Sequence, residues 1–164
     1  MSNERKYAQE ECKMKVAISS DHGGFRLKKQ ILDHLTEKGV DHKDFGTYTP
    51  DSVNYPEFAL LTAEAVTNGS YDVGIICCGT GVGVSIVANK VPGIRAAHCH
   101  DTFSARMSRE HNDANILTLG ERVIGTGVAL EIVDIFLGSH YVGGRHACRV
   151  DQIKEIETKF CGRG

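Results

Sequence analysis

The sequence predicts an α/β fold: a single domain in which a parallel sheet of about five strands carries helices on both faces. Short β-branched runs alternate about five times with longer segments whose apolar residues recur at helical spacing. One run, Val73 to Cys77 (VGIIC), has no polar position and suits a strand buried on both faces. The length agrees, since 164 residues form one domain's worth of chain. Such a chain buries roughly two thirds of its unfolded surface and needs no disulfide or metal staple to fold.

Each element follows from local signals. Lys15 to Ser20 is a β-branched run that ends at Asp21-His22-Gly23-Gly24. Phe25, Leu27, Ile31, Leu32 and Leu35 then recur at helical spacing and stop at Lys38-Gly39, where glycine suits a left-handed cap. A weaker, polar strand is expected over 40–45, then a loop over 46–55. Pro56 favours a helix start, and the apolar face from Phe58 to Val66 ends at Asn68-Gly69. After VGIIC the chain breaks at Gly79-Thr80-Gly81-Val82-Gly83 and resumes as a helix over 84–89. A strand over 94–98 leads to a helix capped by Asp101 and ending near His111. Ile116 to Leu119 is the last strand, closed by Gly120. Helices are expected over 128–137, ending at Gly138, and around Val150, Ile153, Ile156 and Phe160. There is no internal repeat or low-complexity stretch. Residues 1–12 are polar and charged, without the apolar core of a secretory signal. They are expected to be a frayed extension ahead of one domain over 13–164.

Composition removes several functional classes. Nineteen Lys plus Arg stand against 21 Asp plus Glu, a net charge of −2, so the chain is no polycation for nucleic acid or an anionic membrane. No apolar run approaches the roughly 18 residues of a membrane span. The six cysteines include no CxxC pair, and adjacent Cys77–Cys78 is poor geometry for shared metal ligation. Reduced thiols in a cytoplasmic enzyme are the better reading. Glycine is in excess, with 18 residues and no collagen-like period, so it is expected at particular turns.

Four polar clusters are candidates for chemistry, all expected at or near the carboxyl ends of strands, where ligands collect in open parallel sheets. In Ser20-Asp21-His22-Gly23-Gly24, two glycines allow close approach to the backbone and a helix N-terminus follows to hold an anion, although Asp21 could equally be a simple cap. In Cys78-Gly79-Thr80-Gly81-Val82-Gly83, three alternating glycines let backbone amides turn inward as an anion nest. The spacing GxGxG is not the dinucleotide fingerprint, and no Lys-Ser/Thr follows to make a P-loop. A cysteine before such a nest is expected to form its thiolate readily; the competing reading is a small buried cysteine ending a strand. Cys77 should face the opposite way, into the core. Ser108-Arg109-Glu110-His111-Asn112-Asp113 closes a helix, where His111 is either an acid favoured by the helix dipole or a C-cap. In Gly143-Gly144-Arg145-His146-Ala147-Cys148-Arg149, Arg145 and Arg149 lie four apart and match a dianionic phosphate, or else form a solvated basic face.

In this order DHGG, NYP, CGTGVG, SREHNDAN, LGER and GGRHACR resemble the type B ribose-5-phosphate isomerases, within a superfamily shared with galactose-6-phosphate isomerase. The resemblance covers about residues 13–160. It implies a Rossmann-like α/β/α domain that interconverts ribose 5-phosphate and ribulose 5-phosphate through a cis-enediol(ate), with no metal or other cofactor. It also implies a homodimer or dimer of dimers whose active sites draw on both subunits, so that Cys78 and His111 belong to different chains. By the same resemblance, Cys78 matches the base, and Thr80 the group moving a proton between sugar oxygens. Gly79, Gly81 and Gly83 match the loop that stabilises the enediolate. His111 matches the ring-opening residue with Asp21 in support, and Tyr55 and Asn112 line the sugar site. His22, Arg122, Arg145, His146 and Arg149 match the phosphate-binding set.

Other readings are a subunit of a heteromeric galactose-6-phosphate isomerase (or an allose-6-phosphate isomerase), a non-catalytic sugar-phosphate sensor, or a thiol redox protein. In heteromeric relatives the base-bearing loop and the phosphate arginines tend to be split between chains. One chain carrying Cys78, His111, Arg145 and Arg149 favours the ribose enzyme, and the lack of CxxC weakens the redox reading.

Overall fold

The computed structural model describes residues 14–161. The expected extension over 1–12 therefore lies outside the described residues. Five strands form one wholly parallel sheet: β1 Lys15–Ser20, β2 Asp41–Asp44, β3 Val73–Cys78, β4 Ala96–His98 and β5 Ile116–Gly120. Their spatial order is β2-β1-β3-β5-β4. The chain leaves β1 in one direction to reach β2 and lies on the other side of β1 when it forms β3. That reversal opens a crevice at the carboxyl ends of β1 and β3, the usual ligand position in such sheets.

Helices α1 Phe25–Glu37, α4 Thr102–Asn112 and α5 Thr126–Gly138 cover one face. Their core includes Leu27, Ile31, Leu35, Ala105, Ile132 and Phe136 against Ile18, Ile75, Cys77 and Leu117. Helices α2 Tyr55–Thr67 and α3 Val82–Ala88 cover the other, where Ala59, Ala63, Val84 and Ala88 pack on Ala17, Ile76, Cys78 and Ile116. Every residue of β3 is buried, as its unbroken apolar run requires. Cys77 and Cys78 fall in opposite cores because side chains alternate along a strand. The last helix, α6 Ala147–Phe160, buries only Val150. It follows a 3-10 turn over Gly144–His146.

Some boundaries differ from expectation for physical reasons. β3 runs one residue further, so Cys78 is its final residue rather than the first of a loop. β4 is shorter than 94–98 because it is an edge strand that pairs only with β5. Ile94 is instead held in a turn by Val91, and the Arg95 amide donates to the Asn115 side chain at 2.8 Å. Helix α3 begins at Val82, two residues early, because Gly81 adopts φ 81° and turns the chain directly from the nest into the helix.

Candidate active site

The first group of side chains gathers at the carboxyl ends of β1, β3 and β5. Gly24 presses the start of α1 onto the end of β3, where any Cβ would overlap the Cys77 backbone. This brings Asp21 and His22 beside the Cys78–Gly83 loop. The buried Asp21 carboxylate accepts the Gly24 amide at 3.0 Å. Glu121 accepts the Leu27 amide at 2.9 Å from the end of β5. The protein's own carboxylates thus take two of the amides at this helix start.

Cys78 is 6 % exposed, and its Sγ accepts the Gly81 amide at 2.9 Å. The Val82 amide donates to Thr80 Oγ1 at 3.3 Å. The Gly79 and Thr80 amides donate to no group among the described residues. The nest thus divides its work: Gly81 serves the sulfur, and the amides beside it remain available to an oxyanion. The Arg122 guanidinium lies over Gly79, and its amide donates to the Gly79 carbonyl at 3.0 Å. Tyr55 opens α2 and leans its ring on Gly83. His22 accepts the Val53 amide on Nδ1 at 3.2 Å. That leaves Nε2 as the ring's donor when the imidazole is neutral. On the opposite face, burial first, then Cys78 and the Glu121 carboxylate, push the Cys77 thiol far above its ordinary value. Cys77 is a core residue.

The second group lies elsewhere. Helix α4 begins beyond the carboxyl end of β4 and runs back across the sheet, so His111 and Asn112 sit at the amino end. The Asn112 carbonyl accepts Arg95 Nε at 3.0 Å where β4 begins. The 3-10 turn docks there too: the Val142 amide donates to the Glu110 carbonyl at 3.1 Å, and the His111 and His146 rings stack at 4.0 Å and 8°. Arg145 is next to His146, and Arg149 follows on α6. Burial, then His111, Arg145 and Arg149, hold the His146 imidazole below its ordinary value. The clusters around His111 and Arg145 are therefore not at the carboxyl ends of strands, which corrects that expectation. An antiparallel return helix of 11 residues carries its last residue roughly 15 Å from its first. Asp21, His22, Tyr55, Cys78, Gly79, Thr80, Gly81, Gly83 and Arg122 form one half-site, and His111, Asn112, Arg145, His146 and Arg149 another.

Sequence reasoning missed Glu121 and Lys28. Lys28 is 1 % exposed and donates to both Asp44 carboxylate oxygens, at 2.7 and 2.8 Å, and to the Thr47 carbonyl at 2.6 Å. It pins the start of the loop that carries Pro50 and Val53 to His22. Its place among Leu27, Ile31 and Leu35 was the available signal. His98, given no role from sequence, wedges its ring against Gly81 and bonds Thr118 Oγ1 at 3.1 Å. Among the described residues there is no group of three or more His, Cys, Asp or Glu that could hold a metal ion. No described helix is long and apolar enough to cross a membrane.

The ribose/galactose isomerase family model matches residues 16–153. The ribose-5-phosphate isomerase B of Escherichia coli is 50 % identical over 145 residues, 88 % of this chain and 97 % of that protein. The D-erythrulose-4-phosphate isomerase of Pectobacterium atrosepticum is 44 % identical over 146 residues, 88 % of this chain and 95 % of that protein. The structure of Clostridium thermocellum ribose-5-phosphate isomerase B superposes with a TM-score of 0.88 at 59 % identity, covering 90 % of this chain and 99 % of that one. On the match of sequence, sheet and loops together, the chain belongs to the ribose/galactose isomerase family.

Proposed function

We propose that this protein interconverts D-ribose 5-phosphate and D-ribulose 5-phosphate, as a cytoplasmic homodimer serving the non-oxidative branch of the pentose phosphate pathway. The observation that carries the reading is Cys78 at the end of β3, its Sγ held by the Gly81 amide beside the open Gly79 and Thr80 amides. A C–H proton beside a carbonyl is weakly acidic, so its removal needs a placed base and a stabilised oxyanion.

The open-chain aldose presents C2 to Cys78. The thiolate takes the C2 proton, and charge develops on O1 toward the amides of the 79–83 loop. A proton passes from O2 to O1 by way of Thr80, and Cys78 returns its proton to C1, which leaves a ketone at C2. His111 opens the furanose ring, with Asp21 in support, and Tyr55 and Asn112 flank the sugar. His22, Arg122, Arg145, His146 and Arg149 hold the phosphate. The two half-sites lie at opposite ends of one sheet, and a symmetric pair of chains unites each with the other's complement.

The test is the purified protein with EDTA present, assayed on ribose 5-phosphate, allose 6-phosphate, galactose 6-phosphate and D-erythrulose 4-phosphate. Turnover of the pentose above the other three is expected, and preference for any of those three would reassign the substrate. Cys78→Ala should lower kcat by about 10³ while calorimetry still detects ribulose 5-phosphate binding. Near-normal turnover in that variant would remove Cys78 from the chemistry.

A further inference from the structure

A cleft of about 300 Å³ opens beside the first half-site, and three of its lining residues are basic: His22, Arg26 and Arg122. Arg26 is the second residue of α1, exposed at the cleft rim, and no motif marks it. Among the described residues no hydrogen bond or ion pair engages its guanidinium. Exposed arginines are commonly solvated, so the surroundings decide. The cleft's carboxylate, Glu121, is oriented by the Leu27 amide rather than by Arg26. Asp21 is likewise turned to Gly24. His22 Nδ1 faces the Val53 amide, which leaves Nε2–H as the donor of the neutral ring. Two guanidiniums and one imidazole donor therefore line one concavity in which the nearby carboxylates are turned to backbone amides. A guanidinium pair of this kind matches the oxygens of a phosphoryl dianion.

We propose that Arg26 is a further binding residue for the substrate's phosphoryl group, acting with His22 and Arg122 across this cleft. The ligand's identity as a sugar phosphate rests on the function proposed above, whereas the anion site itself does not. Because α1 starts against the end of β3, a phosphate gripped by Arg26 also fixes the sugar's reach toward Cys78. Arg26 touches no reacting atom, so its loss acts on binding and not on the proton transfers.

The experiment compares wild type, Arg26→Ala and Arg26→Lys in three measurements: KM and kcat for ribose 5-phosphate, competitive inhibition by inorganic phosphate, and calorimetric binding of inorganic phosphate. Arg26→Ala should raise KM and the phosphate inhibition constant together by about tenfold, with kcat within about twofold of wild type. Arg26→Lys, which keeps the charge, should fall between the two. Unchanged phosphate inhibition in Arg26→Ala would overturn the proposal and return Arg26 to solvent. A lower kcat with unchanged KM would overturn it as well, by showing that the residue acts through α1. Phosphate inhibition that is not competitive with the sugar would separate the cleft from the substrate site and refute the assignment. If wild type does not isomerise ribose 5-phosphate, the functional reading fails alone. Calorimetry still decides the anion site: weaker phosphate binding by Arg26→Ala retains it, and equal binding refutes it.

Discussion

Two inactive variants should restore each other. Cys78→Ala disables the half-site at the carboxyl end of the sheet, and His111→Ala disables the one at the amino end. The spacing between them follows from α4, whose 11 residues rise about 15 Å while running against the strands. If each working site joins Cys78 of one chain to His111 of another, a mixed dimer holds one intact site and one doubly deficient site. Random exchange at equal amounts makes half the dimers mixed, so the mixture should recover about a quarter of wild-type activity. The two variants would be co-refolded, exchange verified by native mass spectrometry, and isomerisation followed in a coupled assay. A mixture that exchanges subunits yet stays at the level of its parents would refute the shared site. Full recovery would refute the arithmetic of two sites per dimer.

Other expectations concern stability. Lys28→Met leaves Asp44 and the Thr47 carbonyl without their buried cation, which should cost about 3 kcal/mol. Thermal denaturation would show this as a Tm lower by about 6–12 °C, and a shift under about 3 °C would mean the pair is dispensable. His146, whose pKa is lowered first by burial and then by His111, Arg145 and Arg149, binds fewer protons folded than unfolded. Its contribution is therefore complete above the ordinary histidine value near 6.5 and is lost as pH falls below it. The acid-side decline in Tm should be shallower in His146→Gln, and parallel curves would rule out that origin.

Much of the fold was legible because its signals are local. The unbroken VGIIC run marked the central strand, Asp101 marked a helix start by capping the Ser104 amide at 2.7 Å, and alternation alone put Cys77 and Cys78 on opposite faces. The motifs also brought Asp21, Cys78 and Arg122 onto one list, and the sheet sets them at neighbouring strand ends. What stayed hidden depends on distant pairings. Glu121 meets Leu27 across 94 positions, so nothing local tells that an amide of the first turn of α1 already has a carboxylate partner. Lys28 reads as a polar position until Asp44 and Thr47 fold over it. His111 was misplaced although a helix joining two parallel strands must return to their amino ends: the general rule for ligand positions was applied to a residue at a helix C-terminus.

The Glu121 carboxylate at the start of α1 bears on how tightly the sugar should be gripped. In the proposed isomerisation, reactant and product carry the same phosphate, so holding that group more firmly stabilises both ground states and the transition state alike. Such uniform binding lowers KM without raising kcat, and it slows departure of whichever sugar has just formed. A helix N-terminus is a strong fixed anion site, and here the protein's own carboxylate takes one of its amides. In the proposed reading the sugar phosphate then relies more on side chains, which can loosen. For a reaction that runs in either direction, a tempered hold on the unreacting end lets turnover follow supply from both sides.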